Sequence, residues 1–149
     1  MAVDERSEQN IKTLKPEVQV LARRLIEEAT AQGIHVKVIS GYRSYAEQDE
    51  LYAKGRTEPG PRVTKARGGY SWHNFQIAFD IGIFSEDGKK YLGESPDYKK
   101  CGKIGESLGL EWGGSWKEFV DEPHFQFNPH NLSLAQCREW TAERKSIVT

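Results

Sequence analysis

The sequence predicts a small α+β domain, on three observations. Four segments, at about 16–32, 44–55, 95–108 and 133–144, open on helix-start residues and carry apolar positions at helical spacing. Between them lie short stretches in which apolar and polar residues alternate as in half-buried strands, at 34–40, from Ile77 to Ile81, and through Phe125 and Phe127. The length of 149 residues suffices for one core, without disulfide or metal staples. No repeat, low-complexity run or domain boundary interrupts it, so residues 1–149 read as a single domain.

Composition narrows the function classes. With 37% hydrophobic and 29% charged residues and a net charge of −1, the chain has the balance of a soluble globular protein, not that of a nucleic-acid or membrane-surface binder. No apolar run approaches the roughly 20 residues that span a bilayer, so no membrane insertion is expected. The first residues are acidic and polar where an export signal would be basic and then apolar, so the expected location is a cytoplasm. Cys101 and Cys137 are too few for a disulfide framework and are expected as buried thiols.

In order along the chain, Pro16 suits a first helical position, Val18, Leu21, Ala22, Leu25 and Ala29 share one stripe, and Gly33 stops the helix. The strand 34–40 turns Ile34, Val36 and Val38 inward and leaves His35 outside with Lys37. Gly41-Tyr42-Arg43 follows directly, and Ser44 to Glu47 matches a capping box for the second helix. Arg43 thus stands at a strand-to-helix corner. It is either a solvated turn arginine or one aimed into a cleft, where it can pair with a carboxylate or steady an oxyanion.

Lys54 to Arg67 carries five basic residues against Glu58, around Pro59-Gly60-Pro61, and is expected as a loop. It is a solvated surface or a basic rim for an anionic substrate. Asp87-Gly88 marks a turn; Ser95-Pro96 opens a helix with Tyr98, Cys101, Ile104 and Leu108 inward and Gly109 as its stop. Trp112 and Trp116 flank a glycine-rich turn and serve packing or wall a groove. Pro123 excludes a regular helix interior around Asp121 to His124 and favours an extended edge segment. His130 falls in a turn as a surface residue, and Ser133 to Gln136 is a second capping box.

His73, Asp80 and His124 offer two imidazoles and a carboxylate, the donors that zinc takes in hydrolytic sites with three protein ligands. Asp121 stands three residues before His124, where a carboxylate can act as general base towards water. His73 and Asp80 are seven apart, which places their Cα atoms about 10 Å apart on a helix and on opposite faces of a strand. A turn or bulge between them is therefore expected. Spacing alone does not prove a site built from such distant segments.

Five motifs carry a resemblance over about residues 10–128: Gly41-Tyr42-Arg43-Ser44; Tyr52 to Thr57 running on to Gly68-Gly69; Ser71-x-His73-x6-Asp80; Gly109 to Gly114; and Asp121-x-x-His124-Phe125. Together they resemble the M15 metallopeptidases of the VanY, D-alanyl-D-alanine carboxypeptidase type. Within these the chain is most similar to the L-alanyl-D-glutamate endopeptidases of phage endolysins and bacterial cell-wall hydrolases.

The resemblance implies a Hedgehog/DD-peptidase-like fold, with an antiparallel sheet that carries the site and is flanked by helices. It implies Zn2+ on His73, Asp80 and His124, Asp121 as catalytic carboxylate in preference to Glu122, Arg43 on the substrate carbonyl or carboxylate, and Ser71 on the substrate backbone. Trp72 and Trp112 would wall the groove. The implied partner is bacterial peptidoglycan, met by a monomer that waits in the host cytoplasm until lysis. A D-alanyl-D-alanine carboxypeptidase or a non-catalytic wall-binding domain are the alternatives. Three departures stand out: Gln76 where the family usually has glycine, a turn that tolerates a side chain if φ is negative; Ser115 in place of aspartate; and Glu122 in place of a basic residue.

Overall fold

The computed structural model describes residues 3–149; Met1 and Ala2, included in the single-domain reading, lie outside the described residues. In chain order the elements are α1 (Glu5–Ile11), α2 (Pro16–Ala31), β1 (Val36–Ser40), α3 (Tyr45–Ala53), β2 (Ala78–Phe84), β3 (Tyr91–Leu92), α4 (Asp97–Ser107), β4 (Glu111–Trp112), β5 (His124–Gln126) and α5 (Leu134–Ala142). Short 3-10 turns occupy Trp72–Phe75 and Gly113–Ser115. The strands form one antiparallel sheet in the order β1-β2-β5-β4, with β3 pairing on β2. This is the α+β architecture the sequence predicts.

Strand alternation divides β2 into two faces. Phe79, Ile81 and Ile83 point into the core with Val18, Ala22, Leu25 and Ala29 of α2 and Tyr98, Cys101 and Ile104 of α4. Cross-strand pairing puts Phe79 beside Phe125 on that face and Asp80 beside His124 on the other. Both cysteines are fully buried free thiols, and burial pushes Cys101 up to about 12 and Cys137 up to about 11. They are inert packing residues, as expected.

Three features depart from the sequence reading. α1 was not foreseen: Asp4 caps it by accepting from the Ser7 amide, while the Ser7 hydroxyl donates to Asp4 at 2.6 Å and accepts the Val38 amide at 2.9 Å. β1 carries a bulge, since Val38 pairs with Ile81 but Ser40 with Asp80, leaving Ile39 extra. The stretch before β5 is not an extended edge. His124 N donates back to Asp121 O at 3.1 Å, so Asp121 to His124 is a tight turn, and β5 lies between β2 and β4. Pro123 costs the sheet nothing there, because it pairs through its carbonyl, which accepts Ile81 N at 2.9 Å, and not through the N–H it lacks. Among the described residues no helix is long and apolar enough to cross a membrane.

Candidate active site

His73 reaches the site from the Trp72–Phe75 turn. Ser71 caps that turn by accepting the His73 amide at 3.3 Å, and Asn74 returns the favour by accepting the Ser71 amide at 3.2 Å. Asn74 also accepts from Gly69 N at 3.0 Å and donates to Arg43 O at 2.9 Å, while Arg43 N donates to His73 O at 2.9 Å. The corner after β1 and the His73 turn are thereby laced together.

The chain reverses from this turn into β2 at Gln76, whose φ of +62 is left-handed. The negative φ under which a side chain would be tolerated is thus not what forms. Gln76 is held there because its Nε2 donates to Thr13 O at 2.9 Å and its own carbonyl accepts Lys15 N at 3.0 Å. These bonds offset the strain of a non-glycine residue in that region.

Four residues on, Asp80 faces both histidines. Its Oδ2 lies 3.2 Å from His73 Nε2 and its Oδ1 3.3 Å from His124 Nδ1, and the three possible donor atoms all lie within 4.8 Å of one another. Ligands about 2.0 Å from a tetrahedral zinc are about 3.3 Å apart, so these separations suit such an ion.

The outer partners of the rings point the same way. His73 Nδ1 donates to the Gly41 carbonyl at 2.9 Å, which can only accept, so a neutral His73 turns the lone pair of Nε2 towards Asp80. His124 Nε2 lies 2.7 Å from Gln126 Oε1, which likewise frees Nδ1. Lone pairs then meet carboxylate oxygens, and Asp80 Oδ1 is buried without a hydrogen-bond partner among the described residues. One cation among the three would satisfy all of them. Gly41 itself packs against the end of α1, where a Cβ would sit 2.5 Å from Asn10 O and from Thr13 Oγ1.

Electrostatics follow from that packing. Burial works to raise the Asp80 pKa, but when His124 Nδ1 and His73 Nε2 carry protons in place of those lone pairs, their hydrogen bonds and charges outweigh it and hold the carboxyl far below its usual range. At His124 burial works downward and is outweighed by Asp80, Gln126 and Asp121, so its pKa is raised. Asp121 shifts upward, chiefly through partial burial and then through the Asp80 charge, against the pull of the two histidines. A carboxyl raised in this way is better matched to moving protons near neutral pH.

A cleft of about 640 Å³ opens over the triad, lined by Arg43, Ser71, Trp72, His73, Asp80, Asp121 and His124 among others. Seven of the eight residues singled out in the sequence therefore meet here. Trp112 does not: its ring is buried in the core, fills the space left by Gly102 and donates Nε1 to Glu122 O at 2.7 Å. Trp116 takes the wall position, its ring 5.1 Å from that of His124. Glu122 does not line the cleft, whereas Asp121 does. Arg43 brings to the cleft a buried Nε with no hydrogen-bond partner among the described residues.

The basic loop is only partly a rim. Arg56 stacks on Tyr52 and donates to Tyr52 O and Thr64 O, and Arg62 donates to Gly55 O; both fasten the loop to itself. Ser115 lies outside the cleft, donating to Glu106 at 2.9 Å. Gln126 and Gly41 were not foreseen as partners of the histidines. The period-two spacing of His124 and Gln126 on one strand was the available signal for Gln126; the carbonyl of Gly41 leaves none.

Comparison with known proteins agrees with this geometry. The VanY family, described as D-alanyl-D-alanine carboxypeptidase, matches residues 11–130. A Bacillus subtilis protein, the peptidoglycan L-alanyl-D-glutamate endopeptidase CwlK, is 42% identical over 125 residues, covering 78% of this chain and 75% of that protein. The L-alanyl-D-glutamate peptidase of Listeria phage A118 is 28% identical over 134 residues, 83% of this chain but 41% of the phage protein. The crystal structure of the Serratia marcescens L-Ala D-Glu endopeptidase ChiX superposes with a TM-score of 0.62 at 25% identity, covering 83% of this chain and 86% of that one. On the family match and the extent of the Bacillus likeness, the chain belongs to the VanY family.

Proposed function

We propose that this chain is a zinc-dependent peptidase that cuts the L-Ala–D-Glu bond of the peptidoglycan stem. The observation that carries it is the facing of His73 and His124 nitrogens on Asp80 at 3.2 and 3.3 Å, in a cleft that also holds Asp121 and Arg43. The choice of bond is supported by the activity for which the Bacillus, Listeria phage and Serratia relatives are named. His73, Asp80 and His124 would hold the metal. When bound, zinc supplies Lewis acidity, polarising a carbonyl and lowering the pKa of water from ~16 towards ~7.

The chain's own groups do the rest. Asp121 takes a proton from the attacking water and passes it to the leaving amine. Arg43 directs its guanidinium at the scissile carbonyl, where negative charge develops in the transition state. Ser71 uses its oxygen to cap the His73 turn, and its O–H remains free to donate to the substrate backbone. Trp72 and Trp116 wall the cleft and limit water around these charges. All these groups come from one chain, so a monomer suffices. The phage relative supports a lysis role, with the protein held in the host cytoplasm until it reaches the wall.

Digestion of purified sacculi followed by mass spectrometry of the muropeptides tests this. The expected products carry new D-glutamate amino ends and released L-alanine carboxyl ends. Loss of a single terminal alanine would instead assign the D-alanyl-D-alanine carboxypeptidase reaction. A zinc-loaded protein that binds sacculi without cutting them would assign a wall-binding domain.

A further inference from the structure

The loop between α3 and the His73 turn has little regular structure, yet one stretch of it is pinned. Gln48 of α3, 0% exposed, donates Nε2 to Ala66 O at 2.9 Å and to Thr64 Oγ1 at 3.4 Å. Ala66 N donates to the same Thr64 hydroxyl at 3.1 Å, and Arg56 donates to Thr64 O at 3.1 Å. Both neighbours of Lys65 are therefore tied to α3 or to the loop itself. Lys65 makes no ion pair or side-chain hydrogen bond among the described residues, lies 5.2 Å from the Phe119 ring centroid and lines the cleft.

The other basic residues of the loop are placed differently. Arg56 and Arg62 bond backbone carbonyls, Lys54 borders a recess with Glu47 and Glu50, and Arg67, over the Tyr70 ring much as Lys65 is over Phe119, faces away from the cleft lining. Of the five, Lys65 alone lines the cleft. An ammonium that lines the cleft with no counter-ion among the described residues suits an anionic ligand group.

The function proposed above, on which this step rests, supplies such a group. The stem's D-glutamate continues through its γ-carboxyl, which leaves its α-carboxylate free on the residue beside the scissile bond. Arg43 is aimed at the scissile carbonyl, and Asp80 and Asp121 would repel a further carboxylate. We propose that Lys65 is a specificity-determining residue that binds this free α-carboxylate and so distinguishes stems with D-glutamate from stems in which that group is amidated.

The test uses two synthetic stem peptides identical except for D-glutamate or D-isoglutamine, cut by the zinc-loaded full chain. The expected wild-type preference in kcat/KM for the carboxylate is about 10–100-fold, the worth of a hydrogen bond between charged groups. Lys65→Met should bring that ratio close to one, Lys65→Arg should keep most of it, and added salt should shrink it in the wild type. A wild type without preference, or a ratio unchanged in Lys65→Met, overturns the proposal alone if mass spectrometry still finds the L-Ala–D-Glu bond cut. Cleavage at a different bond, or of neither peptide, overturns the proposed function and this inference with it.

Discussion

The β2–β5 ribbon has two faces, and they are built for opposite purposes from the same six residues. On one, Phe79 and Phe125 stack with ring centroids 5.7 Å apart and planes 13° apart, both wholly buried. On the other, Ala78 and Asp80 stand opposite Gln126 and His124, with a carboxylate oxygen and an amide nitrogen that find no partner among the described residues. The first face satisfies itself; the second leaves polar groups waiting for a ligand. Strand alternation thus lets the core fix the register, and the register alone then delivers His124 to Asp80.

If the faces are separable, damage to each should show in a different measurement. The largest effect belongs to the polar side. Asp121→Asn should lower kcat by about 10²–10⁴-fold, the range for general acid–base groups, with Tm hardly moved because the Asp121 side chain, only partly buried at the cleft surface, anchors no element of the fold. A Tm drop comparable to that of a core variant would dissolve the distinction.

Phe125→Ala, on the apolar side, should cost about 3–5 kcal/mol in urea unfolding while the molecules still folded keep their turnover. Gln126→Leu should weaken zinc about 10–100-fold in competition with a chromogenic chelator, by loosening the hold on His124, with little change in stability because a buried amide lacking a partner is also removed. Smallest is Gln76→Gly, which relieves a left-handed residue but loses the bond to Thr13 O. Its net effect on unfolding should stay within about 1 kcal/mol. A larger loss would mean that this side chain, not the backbone around it, sets the angle between His73 and Asp80.

Much of this was legible because it is local. The capping boxes at Ser44 and Ser133 form as the sequence requires, and the inward stripe of α2 keeps Val18, Ala22, Leu25 and Ala29 as spaced, with Leu21 only half-buried and Ile26 buried in addition. His73, Asp80, His124 and Asp121 could be singled out by residue type, and the resemblance grouped them; convergence itself needed the sheet. What escaped depends on contacts distant in sequence. α1 is short, and its buried Ser7 is stabilised by β1, some thirty residues away. Which of two tryptophans four apart faces the cleft was settled by the space beside Gly102, and so Trp112 went inward and Trp116 out. Asp121 and Glu122 lie in a tight turn and not on the extended segment that Pro123 favours, yet Asp121 lines the cleft and Glu122 does not.

The extra residue at Ile39 works as an index mark for the whole cleft. By placing two steps of β1 against one of β2, it sets the phase in which the chain leaves the sheet, just before the carbonyl that anchors His73 and the corner that presents Arg43. Excising that single residue would restore an even ladder and misdirect the anchor and the arginine together. An enzyme so shortened would keep its hydrophobic interior and every side chain implicated in hydrolysis, and would still be mistimed by one step.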